Sequence, residues 1–162
     1  MRKKNREVKD LESIISIIDR CDVCRIALTE NNVPYIITMN FGYSGKPPEK
    51  IWFHCAKEGR KIEMIEKQNF TCFEMDTDHE LRKGEAACDF SMNYSSIVGY
   101  GHIEIIEDPD IKAEGLNAVM EHYTGRNDFS FDPVVLSNTA ILCLKVTELT
   151  AKRLHKTNTG NN

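Results

Sequence analysis

Six apolar runs, most of them short, rich in β-branched and aromatic residues and separated by turn or helix signals, constrain this chain more than any other feature. They fall at residues 23–29, 35–41, 51–55, 70–75, 96–106 and 140–149. Glu30-Asn31-Asn32 reads as a turn between the first two, and residues 42–49, with Gly45 and Pro47-Pro48, read as a loop before the third. Residues 76–93 are polar and read as a connection. Helical spacing appears in three places. Asp10 is a candidate cap before Leu11, Ile14, Ile15 and Ile18, and residues 59–67 carry Ile62 and Ile65 inward. Asp108-Pro109 opens a helix with Ile111, Leu116, Val119, Met120 and Tyr123 on one face and Gly125 past its end. Strands with mostly short connections, and helices in the gaps, argue for an antiparallel β-barrel decorated by helices.

Composition narrows the function classes. Of 162 residues, 41% are hydrophobic and 28% charged, which is globular and not disordered. One domain over residues 1–155 and a flexible tail over 156–162 are expected. A formal charge of −4 gives no global field to gather nucleic acid. The densest apolar stretch, Ile14 to Ile18, is interrupted by Ser16, so no membrane span is expected. The basic residues Arg2, Lys3, Lys4, Arg6 and Lys9 precede no apolar core of a secretory signal. With no export signal, the six cysteines are expected to be reduced thiols in the cytoplasm.

The segment from His54 through Cys55, Lys57, Glu58, Gly59, Arg60 and Lys61 carries the most chemistry. It joins a strand to a helix and sets three cations around the helix start. Exposed cations there oppose the helix dipole by about 0.3–1 kcal/mol each. A bound phosphate would reverse that sign, and free N–H groups near Gly59 would donate to it. GxxxxGK[ST] is absent, so this is no Walker A loop. A solvated basic turn, partly offset by Glu58, is the competing account. His54 is either a proton donor near neutral pH or a structural strand histidine.

Gly99-Tyr100-Gly101 does not make a dinucleotide fingerprint, because His102 to Ile106 continue the strand where a helix would be needed. Its glycines permit either a barrel bend or the close approach of a flat ligand. Cys21 and Cys24 form a single CxxC with no second pair for zinc, so both read as packing residues. Asp76, Asp78, His79 and Glu80 lack the glycine and distal glutamate of a calcium loop. GxSxG and HExxH are also absent. No metal site is expected.

Three blocks recur in order: Cys24 to Leu28, Tyr35 to Tyr43 with Asn40-Phe41-Gly42-Tyr43, and Phe53 to Lys61 with His54-Cys55-Ala56. With Cys72 to Met75, Met92 to Gly101 and His122 to Gly125, they resemble the nitroimidazole-resistance (Nim) proteins. That family lies in the pyridoxamine 5′-phosphate oxidase-like flavin-binding superfamily. The resemblance implies a split β-barrel: mainly β with α, a Greek-key antiparallel barrel of about six strands flanked by helices. It implies a homodimer with FMN sites at the interface and a small-molecule substrate, such as a nitroaromatic, reduced by a flavin oxidoreductase. Arg60 and Lys61 would hold the FMN phosphate beside Gly59 and Lys57. His54 and Cys55 would lie along the cofactor, and Met39, Asn40 and Phe41 would edge its ring. Ser95, Ser96 and Val98 would reach it from the partner subunit. His54 is the implied catalytic residue, with Lys57 supplying positive charge. The tail Arg153-Leu154-His155 is similar to the terminal motif of true pyridoxamine-phosphate oxidases but lacks its closing proline. The alternative is a flavin- or haem-binding protein of the same fold without turnover.

Overall fold

In the computed structural model, which describes residues 3–155, one antiparallel sheet of eight strands organises the chain. The expected tail at 156–162 lies outside the described residues. In chain order the elements are β1 (Glu7–Val8), α1 (Leu11–Asp19), β2 (Cys24–Glu30), β3 (Val33–Met39), β4 (Gly42–Ser44), β5 (Lys50–Ala56) and α2 (Arg60–Lys67). Then come β6 (Phe70–Arg82), β7 (Ser91–Ile106), α3 (Pro109–Thr124), α4 (Pro133–Asn138) and β8 (Thr139–Leu154). The strand order is β3-β2-β6-β7-β8-β5-β4, with β1 paired to β8. This is the mainly antiparallel β architecture with flanking helices that the apolar runs imply. No helix among the described residues is long and apolar enough to cross a membrane.

The sheet curls around side chains from alternate positions of its strands. Ile26 and Leu28 of β2, Phe53 of β5, Phe73 and Met75 of β6, Ile97 and Ile103 of β7, and Leu142 and Leu144 of β8 are all buried in one cluster. Ile17 and Ile18 of α1 complete it. A fully buried side chain of this size contributes about 1.5–3 kcal/mol. A second cluster of Trp52, Val119, Ile141 and Cys143 lies where α3 covers β5 and β8. Those two strands are therefore covered on both faces, which is why 51–53 and 140–144 read as unbroken apolar runs.

Gly99 and Gly101 serve backbone approach within the barrel. A Cβ on Gly99 would lie 2.3 Å from the Phe73 ring, and one on Gly101 would lie 2.2 Å from the Lys145 carbonyl oxygen. The β7–β8 register shifts at this point, with Tyr100 opposite Glu148 and Gly101 opposite Val146. The bulge bends the two longest strands. No flat ligand has room there.

Several elements differ from expectation. The region 76–93 is largely strand: β6 runs on to Arg82 through an irregularity between Thr77 and Glu80, and β7 begins at Ser91. Many of its outward side chains, such as Asp78, His79 and Glu80, are polar and exposed to water, beside the exposed Leu81 and Met92. The bidentate Arg20–Asp78 pair, at 2.9 Å for both contacts, fastens the irregularity to the end of α1. The loop at 42–49 contains β4, and α4 was not expected; Asp132 caps it on the amides of Val134 and Val135. The face of α3 also turns. Its buried residues are Lys112, Gly115 and Val119, whereas Ile111 and Tyr123 are 41% and 42% exposed. Gly115 sets this rotation, since a Cβ there would sit 2.7 Å from the Trp52 ring. Lys112 caps the start of β8, donating to the Thr139 carbonyl at 3.3 Å.

Candidate cofactor-binding site

The turn from His54 to Lys61 joins β5 to α2 as expected. Gly59 is the N-cap, at φ 117° and ψ 169°, a conformation that glycine alone adopts freely. The other three α-helices each begin under an aspartate: Asp10, Asp108 and Asp132 accept hydrogen bonds from first-turn amides. No side chain caps α2. The Ile62 and Glu63 amides fold back onto the Gly59 carbonyl. The amides of Arg60 and Lys61 therefore remain the open donors of that turn.

Among the described residues, neither cation of the first turn forms an ion pair. The Arg60 guanidinium lies over the Tyr35 ring, 4.6 Å from its centroid. Lys61 Nζ rests 3.8 Å from Met39 Sδ. Burial pushes the half-buried Cys55 thiol up, and the nearby Lys61 ammonium partly opposes that shift. Two cations, open amides and no carboxylate partner are the complement of a phosphate. His54, Lys57 and Glu58 are exposed around the same turn. The His54 ring has no hydrogen-bond partner among the described residues.

Met39 and Phe41 are buried and Asn40 is exposed, on the link between β3 and β4. The C-terminal turn of α3 clamps this link, a role that core-face periodicity had not suggested. The Tyr123 hydroxyl donates to the Asp22 carbonyl at 2.7 Å and accepts from the Phe41 amide and Asn40 Nδ2, both at 3.2 Å. His122 donates from Nε2 to the Cys21 carbonyl at 2.8 Å, and its ring lies 4.2 Å from that of Phe41. The sequence signal was the His122 to Gly125 block, which carries aromatic residues at a helix end.

The β7 residues lie elsewhere. Ser96 and Val98 are half-exposed on the outer sheet face, opposite Asp76 and Glu74, whereas Ser95 is buried on the inner face. Ile103 shares a cleft with Ile65 of α2. Ser95 to Val98 are roughly 16–26 Å farther along the strand. Clefts of about 580, 480 and 670 Å³ are lined by other residues.

The remaining candidates are occupied within the chain. Arg25 binds Glu74 at 3.0 Å and also Asp76, and His79 holds Asp76 at 2.8 Å. Burial, then Asp76, raises the Glu74 carboxyl. Among the described residues no group of three or more His, Cys, Asp or Glu is placed to hold a metal ion. Cys21 and Cys24 are buried free thiols, Cys21 pushed by burial to about 12 and Cys24 raised further. They pack and do not react.

Proteins of known structure share this fold. The chain is similar to a crystal structure from Bacteroides thetaiotaomicron provisionally named a 5-nitroimidazole antibiotic resistance protein: 32% identity over 91% of this chain and 86% of that one, TM-score 0.79. A flavocytochrome from Azotobacter vinelandii shares the fold at 21% identity, covering 96% and 72% of the two chains, with TM-score 0.80. So does an FAD and heme binding protein from Mycobacterium smegmatis, at 17% identity, 93% and 74% coverage and TM-score 0.82. No curated protein sequence matches significantly. The family model described as pyridoxamine 5′-phosphate oxidase matches residues 10–153, nearly the whole described barrel, and the chain belongs to that family.

Proposed function

We propose that this protein is a cytoplasmic, homodimeric, FMN-dependent oxidoreductase that reduces a small oxidised molecule, with nitroaromatics as the leading substrate class. The observation that carries the reading is the start of α2: the one α-helix among the described residues without a side-chain cap carries two cations that make no ion pair among those residues. An FMN phosphate fits that turn, held by Arg60, Lys61 and their amides, with Gly59 leaving open space above it. When bound, FMN would supply hydride transfer. Met39, Asn40, Phe41 and Cys55 would orient its ring. His54 would deliver a proton from its exposed ring at the mouth of the site, and Lys57 would favour negative charge gathering on the substrate.

The partner subunit is argued from distance and from surface. Ser96 and Val98 face outward from β7, where they would meet another copy's α2, and the buried Ser95 would contribute through its backbone alone. The outer sheet leaves Ile36 66% exposed, and Phe70 and Tyr100 47% and 41%, an apolar area suited to a second copy. The similarity to the protein named for 5-nitroimidazole resistance supports the substrate class. Flavin is favoured over haem because the uncapped cationic turn at Arg60 and Lys61 suits a phosphate group.

The test is the visible spectrum of the purified protein, its mass by light scattering, and FMN titration of the Arg60→Ala/Lys61→Ala variant. Each lost charge-assisted contact costs about 1.5–3 kcal/mol, so the double variant should bind FMN roughly 10²–10⁴-fold more weakly. Wild-type FMN affinity in that variant would remove the phosphate from this turn. A Soret band would replace flavin by haem, a monomer would remove the shared site, and a colourless protein that takes up no FMN would end the oxidoreductase reading.

A further inference from the structure

We infer that Tyr123 is a positioning residue for the cofactor site: it fixes the Asn40 carboxamide with its oxygen turned outward, as the acceptor for an N–H group on the bound ring. This rests on the flavin reading above, since it names how that site would recognise the ring edge.

The argument is a count of protons. The Tyr123 hydroxyl has one, and three groups lie within hydrogen-bond distance of its oxygen. The Asp22 carbonyl can only accept, so it takes that proton, at 2.7 Å. The Phe41 amide can only donate, and does so to the same oxygen at 3.2 Å. With its proton spent on Asp22, the hydroxyl can only accept from Asn40 as well, so the side-chain group facing it at 3.2 Å must be Nδ2. Two fixed backbone groups thereby decide the Asn40 amide orientation. Oδ1 then points away from Tyr123 on an exposed residue, and it has no partner among the described residues.

The clamp is stiff. The neighbouring His122 ties the same helix end to Cys21 and packs its ring on Phe41. Behind the link, the α3 backbone passes so close to Gly42 that a Cβ there would fall 2.2 Å from the Ala118 carbonyl oxygen. An acceptor oxygen held in this way complements the imide N–H at the pyrimidine edge of a flavin. A carboxamide free to rotate would present its N–H₂ as readily and lose the discrimination.

Two measurements on the full chain test this. In ¹⁵N-labelled protein without cofactor, Tyr123→Phe should shift the Asn40 side-chain N–H₂ and Phe41 amide signals while amides remote from the clamp superimpose. Unmoved Asn40 signals would overturn the contact. In FMN titrations, Tyr123→Phe and Asn40→Ala should each weaken binding by about tenfold, and the double variant should be no weaker than either alone. Multiplying losses, or full affinity in Tyr123→Phe, would overturn the positioning role. A wild type that binds no FMN would instead overturn the flavin reading, with the amide signals still deciding the Tyr123–Asn40 contact.

Discussion

Replacing Asp78 by asparagine should destabilise the protein at neutral pH and leave it unaffected in strong acid. The Asp78 carboxylate accepts two hydrogen bonds from Arg20, at 2.9 Å each, and the pairing holds its carboxyl at about 2 against an ordinary 3.8. Fully shielded from water, that displacement would be worth about 2.4 kcal/mol. The side chains are 42% and 31% exposed, so solvent screens the pair and about 1 kcal/mol remains. The sign follows from the direction of the shift. A carboxyl depressed in the folded state contributes its full stability above its ordinary value of 3.8, and loses it as pH falls through about 2. Urea unfolding at one fixed protein concentration measures this. At pH 7 the midpoint of Asp78→Asn should lie about 0.5 M below wild type with an unchanged slope, and the gap should close below pH 2. Equal midpoints at pH 7, or a gap that persists undiminished in acid, would refute the account of this strand irregularity.

Two further perturbations bear on the site. Gly42→Ala must push the α3 backbone away, since the new Cβ would lie 2.2 Å from the Ala118 carbonyl oxygen and 2.4 Å from the Val119 nitrogen. The expected loss is about 3 kcal/mol in urea unfolding, together with weaker FMN binding because α3 carries Tyr123. His54→Ala should retain FMN, as judged by its visible spectrum, yet slow reduction of a nitroaromatic by roughly 10²–10⁴-fold in single-turnover assays. Unchanged turnover would remove His54 from proton delivery.

The barrel was legible wherever one periodicity ruled a segment. Ile26 and Leu28 alternate with the less buried Arg25, Ala27 and Thr29, and the 140–144 run is continuous because β8 is covered on both faces. Legibility failed where solvent or a single packing partner decided the outcome. The outward residues Asp76, Asp78 and Glu80 look like loop, yet pairing with β7 and the grip of Arg20 keep them in β6. In α3, helical spacing found the element and both ends but not its face, because Gly115 beneath the Trp52 ring determines which side lies inward.

The cationic turn was legible for a reason independent of resemblance. Arg60 and Lys61 at a helix start are unfavourable without an anion, and residue types alone reveal that. The ring side of the site was less open to reading, because its geometry depends on residues about a hundred positions apart. Tyr123 joins Asp22 to Phe41 through one oxygen, and nothing in the local pattern of either segment announces the other. Even so, the chain's two readable signals constrain each other. A phosphate at α2 and a ring edge at Asn40, as proposed above, would be tied through Lys61, which leans on Met39, the residue immediately before Asn40. Anchoring the phosphate therefore also fixes the start of the link that Tyr123 clamps at its other side. A ligand joining a phosphate to a flat ring engages both ends of that link, whereas inorganic phosphate engages one.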